Sequence, residues 1–227
     1  MAVDQAFEKD IFETSIGSLQ ITFIGHGSMI LEVAGKTIHV DPFSRVADYS
    51  LLPKADIILV THEHGDHLDM QAVEYIRKPG TRFIYTAACQ EQLAGGHVMK
   101  NGDVHEEGSI RFKAVPAYNM VHKRENGQPF HPPGVGNGYV LTIGSTRLYI
   151  AGDTEDIPEM ADLHDIDIAF LPMNLPYTMT PEMAARAARF FKPRILYPYH
   201  YGQSSTNKLV KLLEDEPAIE VRIRQMK

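Results

Sequence analysis

The chain has 227 residues, a length that fits one domain able to bury a large core without disulfides. Its content of 44% hydrophobic and 22% charged residues is typical of a globular protein. The formal net charge of −7, with no long block of one sign, argues against nucleic acid or an anionic membrane surface as the main partner.

Targeting signals are not found in the sequence. No run approaches the ~20 apolar residues that a membrane-spanning helix needs, and residues 1–13 lack the apolar centre of a signal peptide. The single cysteine, Cys89, cannot form an internal disulfide and is interpreted as a buried packing residue rather than a nucleophile. We therefore expect a cytoplasmic protein without membrane contact.

Short β-rich runs separated by turn residues dominate the first part of the chain. The predicted strands span 19–24, 29–33, 37–40, 56–61 and 81–85. The fourth is a continuous apolar run, as expected of a strand covered on both faces. Helices are predicted at 69–77, with Asp69 as N-cap, and at 87–93.

The second part of the chain alternates strands with helices, which predicts the α/β class. The predicted strands span 110–115, 139–143, 146–150, 166–171, 195–199 and 219–223. Helices are predicted at 181–191, capped by Thr180, and at 205–213. The long proline-containing segment 118–137 is predicted to be a functional loop at the mouth of an active site. No composition shift or repeat divides the chain, so we expect one domain over residues 1–227.

The strongest chemical signal directly follows the buried strand at 56–61. It is the run Thr61-His62-Glu63-His64-Gly65-Asp66-His67. Clustered histidines and an unpaired aspartate are costly to bury, whereas imidazole nitrogens and carboxylate oxygens are ligands for Zn²⁺. A loop at the carboxyl end of such a strand is where α/β sheets place their sites. The spacing therefore indicates a metal centre, with room for two ions, rather than a solvated polar loop.

The motif His62-x-His64-x-Asp66-His67 resembles the signature of the metallo-β-lactamase superfamily. Later segments resemble further landmarks of that superfamily, in the same order; they are Gly152-Asp153-Thr154 and Pro198-Tyr199-His200-Tyr201-Gly202. The segments around His26 and Asp41 resemble its opening motif, and the chain is similar to the ascorbate-6-phosphate lactonase-like branch from about Leu19 onward. The resemblance implies a four-layer αβ/βα sandwich, with two mixed sheets facing each other and helices outside.

The resemblance also implies two divalent metal ions, with zinc favoured and manganese or nickel as alternatives. The implied ligands are His62 and His64 for one ion, Asp66, His67 and His200 for the other, and Asp153 for both. Asp66 and His67 are the candidates for direct catalytic roles. Asp41 is expected to hydrogen-bond the metal loop rather than to bind metal.

One position departs from the pattern of the superfamily. Many members carry a metal-binding histidine just after the strand that ends here at Ala117, whereas this chain has Asn119. An amide oxygen is a poor ligand for Zn²⁺ beside imidazole, so this ion could be bound more weakly or be Mn²⁺ or Ni²⁺. Alternatively, His26, His122 or His131 could complete the site.

The predicted function is hydrolysis of an ester-type bond, namely a lactone, phosphodiester or thioester, by metal-activated water. A non-catalytic or sensing protein that holds metal is the alternative, favoured only by Asn119. A di-iron oxidoreductase is disfavoured by His64, which replaces the glutamate of that group, and a nuclease by the lack of room for an inserted clamp domain. The expected partner is a small molecule, which could be anionic given Arg45, Lys123 and Arg124; a homo-oligomer is compatible with the sequence.

Overall fold

The computed structural model describes residues 6–227. Residues 1–5, part of the segment in which no signal peptide is predicted, lie outside the described residues. The first sheet has seven strands whose spatial order follows the chain. They are β1 (Lys9–Thr14), β2 (Gly17–Gly25), β3 (Ser28–Val33), β4 (Lys36–Val40), β5 (Ile57–Leu59), β6 (Arg82–Tyr85) and β7 (His97–Val98).

The second sheet also has seven strands in chain order. They are β8 (Val104–Glu107), β9 (Ile110–Ala117), β10 (Gly136–Ile143), β11 (Thr146–Ile150), β12 (Ile168–Pro172), β13 (Ile195–Tyr199) and β14 (Glu220–Val221). In each sheet the first four strands pair antiparallel and the last four pair parallel. The same topology therefore occurs twice, and both sheets are mixed.

Alternation along the strands sends apolar side chains to different layers. In β5, Ile57 and Leu59 belong to the core between the sheets, which also contains Phe170 of β12. Ile58 lies on the opposite face of the first sheet and packs with helix α1 (Met70–Ile76). Ala169 likewise faces outward and packs with α2 (Pro181–Phe191) and α3 (Thr206–Leu212). Helices cover both outer faces, which confirms the predicted four-layer sandwich.

The helix boundaries follow the capping residues. Thr180 accepts a hydrogen bond from the backbone N–H of Met183 at 3.1 Å, and Pro181 occupies the first helical position of α2. Short 3₁₀ helices lie at Tyr49–Leu51, Ala87–Glu91 and Pro158–Asp162. Within residues 6–227, no helix combines the length and the apolar character needed to cross a membrane.

Several predicted elements need correction. The helix predicted at 87–93 is a 3₁₀ helix, Ala87–Glu91, although Cys89 is buried as expected. The C-terminal strand is shorter than predicted, and β1, β7 and β8 were not predicted at all. In β1 and β8 every second residue is exposed and the others are only half-buried, so neither carries the apolar face that marks an inner strand. Contacts distant in sequence hold β1; Asp10 Oδ1, for example, lies 2.7 Å from Arg224 Nη2.

Candidate metal centre

The candidate site residues follow strands whose carboxyl ends meet at one edge of the sandwich. His26 and Asp41 come directly after β2 and β4, and His62 comes shortly after β5. In the second sheet, Asp153 follows β11 and His200 directly follows β13. Parallel strands present their carboxyl ends on the same side, so residues far apart in sequence converge at this edge.

Asp153 is the centre of the cluster. Its Oδ1 lies 3.4 Å from His67 Nε2, and its Oδ2 lies 3.3 Å from His131 Nε2. The same Oδ2 is 3.7 Å from His200 Nε2 and 4.0 Å from His62 Nε2. With a side chain only 4% exposed, Asp153 is surrounded by imidazoles that point at it from both sides. This is the placement expected of a carboxylate shared between two cations.

The donor atoms fall into two groups around Asp153. In each group the candidate ligand atoms all lie within 4.8 Å of one another, the spacing found around a single divalent ion. One group contains His62, His64 and His131, and the other contains His26, Asp66, His67 and His200. All six residues predicted to bind metal are therefore brought together, and the structure adds His131 to the first group and His26 to the second.

Buried polar atoms without partners show that this cluster suits a cation. His67 Nε2, Asp153 Oδ1 and both ring nitrogens of His200 are buried and make no hydrogen bond within residues 6–227. Leaving such atoms unsatisfied costs about 1–3 kcal/mol each, so the fold stores unfavourable free energy here. Divalent ions with imidazole and carboxylate ligands would satisfy these atoms, and the donor set matches the chemistry of zinc and manganese sites.

Asp41 orients His67. The Asp41 carboxylate is fully buried, and its Oδ2 accepts a hydrogen bond from His67 Nδ1 at 2.8 Å. Thr61 donates its backbone N–H to the other oxygen, also at 2.8 Å. Burial alone would lower the pKa of His67, but the charges of Asp153 and Asp41 outweigh that effect and raise it. With Nδ1 held by Asp41, Nε2 is the atom available to a metal, which is the arrangement expected of an orienting carboxylate.

Asn119 does not point at the cluster; it holds His131 in place. Its Oδ1 accepts hydrogen bonds from His131 Nδ1 at 2.7 Å and from the backbone N–H of His131 at 2.9 Å. Its amide nitrogen donates to the Tyr177 carbonyl at 2.9 Å. Asn119 thus directs Nε2 of this loop histidine toward Asp153 Oδ2, which lies 3.3 Å away. His122 points away, with Nδ1 2.7 Å from Glu155 Oε1.

Glu155 is the important residue that the sequence analysis missed. Its side chain is fully buried and accepts hydrogen bonds at 2.7 Å from the backbone N–H groups of Met120, Val121 and His122. Burial by itself would raise the pKa of Glu155, but these hydrogen bonds outweigh it and lower the pKa. Glu155 therefore anchors the start of the loop that carries His131. Its position two residues after Asp153 was the only signal in the sequence.

The backbone around the cluster adopts conformations that non-glycine residues rarely take. His26, Asp41 and His200 have φ values of 54°, 44° and 46° in the left-handed region, at a cost of about 1–3 kcal/mol each. Each lies at a strand end, where the sharp change of direction aims its side chain into the cluster. Gly27 permits close approach, since a Cβ there would lie 3.1 Å from His67 Cε1.

A cavity of about 420 Å³ opens onto the cluster, a size that suits a small molecule. The loop forms part of its wall, as predicted, through Arg124, Phe130 and His131. Of the three basic residues considered as anion contacts, Arg124 lines this cavity. Lys123 is not part of its wall, and Arg45 lines a separate surface depression.

Comparison with known proteins agrees with the fold. Residues 20–200 match the model of the β-lactamase superfamily domain. The chain therefore belongs to this superfamily, as its motifs indicated. Within it, the chain is a metal-dependent hydrolase, since its curated relatives are named so and the cluster offers ligands for metal ions.

The relatives cover most of the chain. A UPF0173 metal-dependent hydrolase of Methanopyrus kandleri is 32% identical over 202 residues, covering 81% of this chain and 84% of its own. A crystal structure of a protein named as a metal-dependent hydrolase, from Parabacteroides distasonis, is 52% identical, with a TM-score of 0.93 and coverage of 98% and 100%. The metallo-β-lactamase fold protein YhfI from Bacillus subtilis shares the fold at 16% identity, with a TM-score of 0.74 and coverage of 92% and 96%.

Proposed function

We propose that the chain holds two divalent metal ions and hydrolyses an ester-type bond of a small molecule that enters the cavity. His62, His64 and His131 would hold one ion, and Asp66, His67 and His200 the other. Asp153 would be shared, and His26 would support Asp66. The observation that carries the proposal is the position of Asp153, whose oxygens lie within 4.0 Å of imidazole nitrogens from both groups.

The ions, zinc in the first instance, would supply Lewis acidity toward water and toward the substrate oxygen on which charge develops. Such Lewis acidity would accelerate the attack of water on a lactone, phosphodiester or thioester bond at neutral pH. The ascorbate-6-phosphate lactonase-like branch provides the first substrates to test. The core shared by both sheets supports one domain over residues 1–227 as the working unit.

Asp66 is the carboxylate placed to accept a hydrogen bond from the attacking water. Its side chain is 40% exposed toward the cavity, whereas that of Asp153 is 4% exposed. Burial alone would raise the pKa of Asp66, but the neighbouring imidazoles of His200 and His26 outweigh it and lower the pKa, so the carboxylate is ionised. Asp66 would therefore orient the attacking water as a hydrogen-bond acceptor, while His26 Nε2, 3.0 Å from Oδ2, stabilises that carboxylate in its ionised form.

Asn119 no longer favours the alternative of a metal-binding protein without catalytic activity. That residue suggested an incomplete first site, but the imidazole of His131 lies beside those of His62 and His64, which supports a third ligand there, and Asn119 holds it in place. The catalytic reading is favoured further by the open cavity beside both groups, because a purely structural metal site is closed to substrate.

The test uses purified protein loaded with Zn²⁺, Mn²⁺ or Ni²⁺ and a panel of lactones, phosphodiesters and thioesters. We expect turnover of at least one bond type, loss of that turnover in His200→Ala, and full activity in His97→Ala, a matched control outside the cluster. If the metal-loaded protein hydrolyses none of the three bond types, the proposed function is wrong.

A further inference from the structure

Arg124 brings a positive charge into the wall of the catalytic cavity. It shares that wall with Asp66, Asp153 and His200 of the metal cluster, and with Asn174 and Tyr177 on the opposite loop. The chain as a whole is acidic, with a net charge of −7. The charge of this side chain in the cavity wall is therefore opposite in sign to the net charge of the protein.

Arg124 is not engaged by a carboxylate. Six other arginines lie within 4.0 Å of one; they are Arg77, Arg186, Arg189, Arg194, Arg222 and Arg224. Within residues 6–227, Arg124 has no carboxylate at that distance. Its Nη2 donates a weak hydrogen bond to the Phe130 carbonyl at 3.3 Å, which leaves most of its N–H groups available to a ligand.

The guanidinium is nevertheless held in position. It stacks on the ring of Phe130, 5.1 Å from the ring centre, and Phe130 packs edge-on against Tyr177 with ring centres 5.0 Å apart. The backbone is held as well, since Arg124 N donates to the Gln128 carbonyl at 2.7 Å. Such pre-positioning reduces the side-chain entropy lost when a ligand binds.

Asn174 supplies a second free polar group to the same cavity. Its backbone N–H donates to Thr178 Oγ1 at 2.7 Å, and its carbonyl accepts from the Thr178 N–H at 2.8 Å. Its side-chain amide, in contrast, makes no hydrogen bond within residues 6–227. Gly202 leaves room for this amide, because a Cβ at that position would collide with Asn174 Oδ1.

We propose that the substrate carries an anionic oxyacid group, a carboxylate or a phosphate, which Arg124 and Asn174 bind apart from the bond that is cleaved. A guanidinium can give two parallel charge-assisted hydrogen bonds to either group, and the Asn174 amide can donate a third. The inference rests on the proposed function in one respect, since it places the cleaved bond at the metal cluster on the other side of the cavity.

The test measures equilibrium binding of linear dicarboxylates, from malonate to adipate, to the metal-loaded protein by calorimetry. Each is compared with the monocarboxylate of the same chain length, so that one carboxylate can occupy the metal cluster and the second can reach Arg124. We expect one dicarboxylate to bind about tenfold tighter than its monocarboxylate. Replacing the distal carboxylate by a phosphonate shows which oxyacid the subsite prefers.

Variants decide whether Arg124 is responsible. Arg124→Gln should abolish the tenfold difference, Arg124→Lys should restore part of it, and Lys123→Gln, which removes the same charge outside the cavity, should leave it unchanged. The inference is overturned if dicarboxylates and monocarboxylates bind equally, or if Lys123→Gln weakens binding as much as Arg124→Gln. A dicarboxylate preference without turnover of any ester would instead refute the proposed function and leave the anion subsite standing.

Discussion

Replacing Asn119 by alanine tests whether this residue orients a loop ligand for one metal ion. The change removes hydrogen bonds to the His131 backbone N–H, His131 Nδ1, Glu155 and the Tyr177 carbonyl. At about 1 kcal/mol each, their loss should lower the free energy of unfolding by about 2–4 kcal/mol. Removing the hydrogen-bond partner of a histidine that binds metal should also lower the affinity for one ion about 10- to 100-fold.

The assay is a titration of the metal-free protein with Zn²⁺ against a competing chelator, combined with urea unfolding. Asn101→Ala is the matched control, because the Asn101 amide donates to Val115, Gly136 and Asn137 but touches no candidate ligand. We expect both variants to lose stability and only Asn119→Ala to lose affinity for one ion. Equal zinc affinity in Asn119→Ala and the unmodified protein, or an equal loss in the control, would refute the orienting role.

Three further changes have defined outcomes. His200→Ala should lower the bound metal, measured by elemental analysis after reconstitution, because it removes a ligand near both Asp66 and Asp153; unchanged metal content would contradict the assignment. Gly27→Ala should weaken metal binding, since its Cβ would press on the His67 ring at 3.1 Å; an unchanged zinc affinity would show that the ring can shift freely. Burial lowers the pKa of His39 from 6.5 to about 4, despite its hydrogen bond to the Pro53 carbonyl. Between pH 4 and pH 6.5 the unfolded state then binds more protons than the folded state. The free energy of unfolding should therefore decrease as the pH is lowered from about 6.5 to about 4. In urea unfolding with chelator present, the pH-dependent decrease in the free energy of unfolding should be smaller in His39→Gln by up to about 3 kcal/mol. An identical pH dependence in the two proteins would show that the folded imidazole titrates normally.

Much of the site could be predicted because its chemistry is concentrated in short segments. His62 to His67 form a contiguous run after an apolar strand, and Asp153 and His200 follow strands of their own. The choice among His26, His122 and His131 could not be made from sequence, because it depends on the path of the loop between β9 and β10. Glu155 was missed because an acidic residue in a polar segment looks exposed until its backbone donors are known.

In the fold as well, elements marked by a local sequence pattern were predicted, whereas elements that depend on contacts distant in sequence were not. The inner strands carry apolar runs, and their positions and the four layers were predicted correctly. The edge strands β1 and β8 lack an apolar face and depend on their neighbours, so no local pattern marks them. The predicted helix at 87–93 had suitable helix-forming residues, but the chain turns there after β6 and forms only a 3₁₀ helix.

The candidate ligands come from both halves of the sandwich, since His62 and Asp66 follow a strand of the first sheet whereas Asp153 and His200 follow strands of the second. Ions bound between them would cross-link the two sheets in addition to the apolar core. Binding to the folded state alone stabilises it by about 4 kcal/mol when the free metal exceeds its dissociation constant a thousandfold. The melting temperature would then rise with the concentration of free metal in the surrounding solution. Chelation would weaken the contact between the sheets as well as stop catalysis.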